Sequence, residues 1–138
     1  KMIKNRKDYN YNLLCDMPNI ITSKKDFKQF ELLTDEPNFV GEKTINSKIL
    51  KISKFENYRS LRGKIIMIDS ADPGFDWIFN CKIVGLITKF GGTNSHMAIR
   101  CAELNLSAAI GVGEKIFQNL QYSNKVYLDP KNKILKPV

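Results

Sequence analysis

The sequence predicts an α/β domain, and three observations carry that reading. Two short apolar runs, Ile65-Ile66-Met67-Ile68 and Ile83-Val84-Gly85-Leu86-Ile87-Thr88, have the length of strands covered on both faces. Beyond the second run the period changes, and Met97, Ala98, Cys101, Ala102 and Leu104 recur at helical spacing. Between them stands Gly91-Gly92, a strand-to-helix turn. Strands and helices mixed along one chain place it in the α/β class.

In chain order, residues 1–38 differ from the rest. Lysine and asparagine are frequent there and periodicity is weak. Ser23 to Leu33 has the marks of a short helix, with Ser23 as N-cap and Phe27, Phe30 and either Glu31 or Leu33 sharing a face. Glu36-Pro37-Asn38 then breaks it. The segment reads as a connector that packs on the main domain or leads in from a preceding one. The chain begins at Lys1 rather than a methionine, so a longer parent is expected.

Residues 39–138 form the expected domain. Thr44 to Ser53 partly alternates apolar and polar residues, as in a half-buried strand. Ile65–Ile68 is the first buried strand, and Asp69 to Gly74 is a loop. Phe75-Asp76-Trp77-Ile78-Phe79 reads as a helical turn, with Trp77 in the core. Ile83–Thr88 is the second buried strand. The helix of His96 runs to about Leu104, where Asn105 ends it. Ala108 to Val112 is a short strand and Glu114 to Leu120 a helix. Val126 to Asp129 and Ile134-Leu135 flank Pro130–Lys133 as a terminal hairpin.

Composition narrows the function. The 138 residues suit one domain, and 43% hydrophobic with 26% charged residues is ordinary for a globular chain. No apolar run approaches the ~20 residues of a membrane span, and the basic start lacks the apolar segment of a signal peptide. The net charge of +8 raises nucleic acid as a partner. Yet 18 of the 22 basic residues are lysines spread along the whole chain, without an arginine cluster or interleaved aromatics. A solvated surface is the reading, with neither nucleic acid nor membrane as partner. Cys15, Cys81 and Cys101 are odd in number and far apart, so no metal site is expected. Cys101 falls on the apolar helix face as a small core residue. Reduced thiols fit the cytoplasm.

The chemistry gathers on Gly91-Gly92-Thr93-Asn94-Ser95-His96, which holds the chain's single histidine. The glycine pair lets the backbone take positive φ and come close to a ligand. Thr93, Asn94 and Ser95 are all N-cap types. The free amides of a helix start suit an anion, and an imidazole nitrogen is a competent nucleophile near neutral pH. A nucleophile beside an anion nest points to phosphohistidine; the plain alternative is a histidine that caps the helix or meets solvent. Asp72 or Asp76 would orient the histidine loop, although Asp72-Pro73-Gly74 is first of all a turn. Arg100, one turn past His96 on a neighbouring face, is placed to touch a phosphate or to remain solvated. Glu103 reads as a surface charge. A Ser-His-Asp triad is a poor fit, because Ser95 adjoins His96.

Residues 91–111 resemble the active-histidine signature of the phosphoenolpyruvate-utilising enzymes: two glycines, a Ser-His pair, Ala-Ile, a glutamate and a closing glycine. Here these are Gly91-Gly92, Ser95-His96, Ala98-Ile99, Glu103 and Gly111. The Asp72–Trp77 loop and Gly85-Leu86-Ile87-Thr88 also look like that family's, and the likeness covers about residues 39–138. Some positions depart: Ala102 replaces the family arginine, and Asn105 and Ser107 replace the usual glycine and proline. Asn94 stands where threonine is frequent.

The resemblance implies a swivelling β/β/α phosphohistidine domain. His96 would carry the phosphoryl group. Gly91, Gly92, Thr93, Asn94, Ser95 and Arg100 would bind or orient it, with Asp72, Asp76 and Thr88 supporting the loop. It also implies that ATP and Mg2+ bind on other domains of the parent enzyme. The partners would be an ATP-grasp domain and an acceptor-binding domain of the same chain. Residues 75–79 with 95–103 resemble dikinase-like proteins of capsule-polysaccharide clusters, a group that includes L-glutamine kinase. Phosphoenolpyruvate synthase, pyruvate phosphate dikinase and a non-catalytic docking module are the other expectations.

Overall fold

The residues described, 36–52 and 60–138 of this computed structural model, form ten elements. They are β1 (Asn38–Val40), β2 (Ile45–Lys51), β3 (Ile65–Ser70), a 3-10 helix (Pro73–Cys81), β4 (Gly85–Phe90), α1 (His96–Glu103), β5 (Ser107–Ile110), α2 (Gly113–Gln121), β6 (Lys125–Asp129) and β7 (Ile134–Pro137). They lie within one compact unit, Asp35–Val138. The expected Ser23–Leu33 helix and Cys15 fall outside the described residues.

The strands make one mixed sheet in the order β1-β5-β4-β3-β2-β6-β7. The inner pairs β2–β3, β3–β4 and β4–β5 are parallel. β1 runs antiparallel to β5, β6 to β2 and β7 to β6. Parallel neighbours need crossovers, which the 3-10 helix and α1 help to supply. Of the parallel strands, β3 and β4 are buried on both faces over their first four residues, which is why they read as continuous apolar runs.

Alternation along each strand divides the core in two. Ile66 and Ile68 of β3, Leu86 of β4, and Ala108 and Ile110 of β5 pack with Ile78 of the 3-10 helix and with Met97 and Cys101 of α1. Ile65, Met67, Ile87 and Ala109 pack on the other face with Phe117 and Leu120 of α2 and with Val126 and Leu128 of β6. Each large side chain buried this way stabilises the fold by about 1.5–3 kcal/mol. Hence α2 covers one face of the sheet, and the 3-10 helix and α1 cover the other. The C-terminal ends of β3 and β4 lead directly into the 3-10 helix and α1.

Several boundaries differ from the sequence reading. β4 starts at Gly85 rather than Ile83 and runs through Phe90. An unbroken apolar run carries no mark of its own ends, so pairing sets them: Gly85 lies opposite Ile65, while the Val84 amide donates to the Lys64 carbonyl ahead of the strand. The helical turn expected over 75–79 extends to Pro73–Cys81 as a 3-10 helix. Pro73 supplies a preset φ, the Asp72 carboxylate caps the Gly74 amide at 2.7 Å, and Lys82 ends the helix at φ +54°. The short strand expected over 108–112 is Ser107–Ile110, because Gly111 turns to φ +70°. β1 begins at Asn38, the last residue of the expected connector. No helix among the described residues is long and apolar enough to cross a membrane.

Candidate functional site

Thr88, fully buried near the end of β4, anchors the site. Its hydroxyl accepts the Gly111 amide at 3.0 Å, and its carbonyl accepts the Val112 amide at 3.0 Å. These bonds tie the turn after β5 to the strand that precedes the histidine turn. The join is backbone to backbone. Gly91 sits at φ +138°, and a Cβ there would lie 2.6 Å from Ala71 Cβ. A Cβ on Gly111 would run into the Gly91 carbonyl oxygen. Both positions therefore require glycine.

Gly92 corrects an expectation. It lacks positive φ, and a Cβ there would meet nothing within 4 Å. Only the first glycine of the pair is demanded by the fold, while the second leaves open space beside the turn. The Gly92 carbonyl accepts the Ser95 amide at 3.0 Å. Of the three N-cap candidates Ser95 takes the place, extended at φ −69° and ψ 150°, with its hydroxyl accepting the Ala98 amide at 3.4 Å. Thr93 and Asn94 are exposed in the turn.

His96 opens α1 with its side chain 41% exposed. Its Nε2 lies 3.0 Å from Asp76 Oδ1 on the 3-10 helix. Arg100 Nε donates to the same oxygen at 3.3 Å. The far end of that guanidinium, Nη1, donates to Glu103 at 2.8 Å, and the group lies 5.8 Å from the centre of the Phe79 ring. The hydrogen bond from His96, helped by the Arg100 charge, holds the Asp76 carboxyl below the usual carboxylate range. An ionised carboxylate only accepts, so the facing Nε2 carries the hydrogen. Glu103, followed by Asp76, raises the Arg100 guanidinium further above its ordinary value.

Of the two aspartates nominated for the loop, Asp76 reaches His96. Asp72 instead caps the helix that carries Asp76. Arg100 does not lie on a neighbouring face from His96: residues four apart share one face of a helix, and both side chains meet one oxygen. Spacing was the signal for that pair. Nothing local signals the contact between Asp76 and Arg100, 24 residues apart. Glu103 is an exposed charge bound to Arg100. Cys101 is fully buried, and its desolvated thiol is pushed up to about 12, so it stays inert.

The departures from the signature have local accounts. Asn105 adopts φ +49° after α1. The amides of Asn105 and Leu106 turn back to the carbonyls of Ala102 and Cys101, a Schellman ending. Asparagine tolerates the left-handed conformation that favours glycine. Ser107 is buried, and its hydroxyl donates to the Lys43 carbonyl at 2.6 Å. Ala102 is exposed. Among the described residues no three His, Cys, Asp or Glu side chains gather as a metal site.

The likeness to known proteins agrees with this geometry. Residues 61–133, from the lead-in to β3 to the final hairpin turn, match the family described as PEP-utilising enzyme, mobile domain. A search of the curated proteins returns no match. The family match spans more than half of the chain and contains the whole strand, glycine turn and histidine helix. The chain therefore belongs to the mobile-domain family of the phosphoenolpyruvate-utilising enzymes, a domain of phosphotransferase-type enzymes.

Proposed function

We propose that this chain is the phosphohistidine carrier domain of an ATP-dependent phosphotransferase, and that His96 carries the group. The observation that supports it most is an exposed histidine at a helix start, within hydrogen-bond reach of a carboxylate that also holds an arginine. In this reading His96 attacks the β-phosphorus of ATP and expels AMP. Water then cleaves the terminal phosphate from the pyrophosphoryl group as inorganic phosphate, and the remaining phosphoryl passes to an acceptor. The open space at Gly92 leaves room at the turn for the donor and the acceptor. Arg100 supplies positive charge beside the phosphoryl group. Asp72 and Thr88 act indirectly, by holding the 3-10 helix and the glycine turn in place.

The acceptor we propose is L-glutamine. Its amide nitrogen would take the phosphoryl group to give L-glutamine phosphate for a capsule phosphoramidate. That choice is supported by the likeness of residues 75–79 and 95–103 to the capsule-cluster kinases. ATP and Mg2+ would bind on an ATP-grasp domain of the parent chain, and glutamine on a further domain. The residues ahead of β1 would connect this domain to its neighbours. Reduced thiols and the need for ATP support a cytoplasmic location.

The test uses the full-length parent enzyme and ATP labelled at the β-phosphorus. The wild type acquires acid-labile label, and His96→Asn acquires none; label retained by that variant would exclude the carrier reading. Glutamine-dependent release of AMP supports the acceptor. Pyruvate-dependent release would instead indicate a phosphoenolpyruvate synthase or pyruvate phosphate dikinase. Full activity in His96→Ala would leave only a docking module.

A further inference from the structure

One oxygen atom stands where two functions compete. Asp76 Oδ1 lies 3.0 Å from His96 Nε2 and 3.3 Å from Arg100 Nε. A phosphoryl group bonded to Nε2 would project its oxygens in the same direction from the ring, within reach of the same guanidinium. The Asp76 carboxylate is itself an anion and already holds both partners. A phosphoryl dianion and this carboxylate cannot occupy one place, because like charges at contact repel. Arg100 is built to serve either, since Glu103 anchors Nη1 at 2.8 Å and leaves the Nε edge to its partner. The Asp76 side chain is 46% exposed, so it has solvent to move into.

We propose that Asp76 is a displaceable internal anion: it fills the phosphoryl position on His96 Nε2 in the resting domain and is expelled when the ring is phosphorylated. Arg100 then passes from the carboxylate to the phosphoryl group, with Glu103 still holding its far end. The idea rests on the carrier reading of His96 and deepens it. Asp76 is a positioning residue, not a catalytic one. It keeps the unloaded ring in one orientation with hydrogen on Nε2. It also raises the energy of the loaded form, which then holds a carboxylate without its two partners beside a dianion. The domain is thereby biased toward giving the group away.

A chemical donor tests this apart from the ATP reaction. Phosphoramidate phosphorylates imidazole: the Nε2 proton leaves with the departing nitrogen as ammonia, the donor P–N bond breaks, and the freed lone pair on Nε2 forms the new P–N bond. Hydrolysis reverses the loading, as water attacks phosphorus, the P–Nε2 bond breaks and the ring regains a proton. With one histidine in the chain, phosphorus NMR follows a single species. Asp76→Asn keeps the shape and removes the charge. Its phosphohistidine is expected to outlive that of the wild type by about two- to fivefold, the factor for an exposed charge pair. Asp76→Glu keeps the wild-type lifetime, and Arg100→Ala shortens it. Added salt narrows the difference in lifetime between wild type and Asp76→Asn, because it screens the carboxylate's repulsion.

An Asp76→Asn lifetime equal to or shorter than wild type overturns the proposal. So does a folded Asp76→Asn that phosphoramidate no longer loads, since the carboxylate would then be acting as a base. Either result leaves the carrier reading intact, which falls only with ATP label retained by His96→Asn.

Discussion

Thr88→Val is the most informative single change in the scaffold of the site. Valine keeps the branched shape, so the cavity contribution is small, but it removes the acceptor of the Gly111 amide at 3.0 Å. Thr88 is fully buried, and little water can replace that partner. A buried amide left without a partner costs about 1–3 kcal/mol. Thr88→Ser is the control. It keeps the hydroxyl and deletes one buried methyl, a loss of about 0.8 kcal/mol before any cavity contribution. The expected order of stability is wild type, serine, valine. At about 4–8 °C per kcal/mol for a small domain, valine should lower Tm by at least several degrees. Urea titration should show a lower midpoint at unchanged slope. Hydrogen exchange should show the Gly111 amide losing protection, while the Val112 amide, bound to the Thr88 carbonyl, keeps more of its own. The turn also holds Gly91 against Gly111, so loading of His96 should fall with it. A valine variant as stable as the serine one, with Gly111 still protected, would refute this account of what anchors the histidine turn.

Two further expectations concern the helix end and acid. Asn105 sits at φ +49°, so Asn105→Gly should hold or raise stability by up to about 1 kcal/mol, and Asn105→Ala should lower it by about 1 kcal/mol; equal urea midpoints for the two would contradict the strain argument. Asp76, Glu114 and Asp129 are each held below their ordinary carboxylate values, chiefly by hydrogen bonds from His96, Lys89 and Asn132 respectively. A depressed folded pKa contributes stability that is present above the unfolded value, near pH 4, and lost as pH falls through the folded one. Tm should therefore hold between about pH 5 and 7 with respect to these groups and decline below about pH 4, less steeply in Asp129→Asn. A Tm at pH 3 equal to that at pH 6 would remove these carboxylates from the account.

The parts of the molecule legible in the sequence are those whose cause is local. Strand, glycine turn and helix followed from an apolar run, a glycine pair and a change of period, and each stands in the structure. His96 was nominated because it is the single histidine and sits at a helix start. Asn105 as a helix stop and Cys101 as core are also properties of one residue and its near neighbours. The ends of β4 and β5 were not legible, since both depend on which residue faces which across the sheet. Nor did spacing divide the roles of Gly91 and Gly92. Ala71 and Gly111, distant in sequence, press on the first glycine and leave the second free.

The same division runs through the site. By itself the sequence determined the α/β class, the histidine and the kind of turn that presents it, because residue type and period act over one or two turns of chain. Only the tertiary structure decided between Asp72 and Asp76 and brought the Asp76 carboxylate to the shared face of His96 and Arg100, where both meet one oxygen. Those contacts span 20 and 24 residues. They exist because one core packs the 3-10 helix and α1 against the same face of the sheet, a result of burial that no local pattern records.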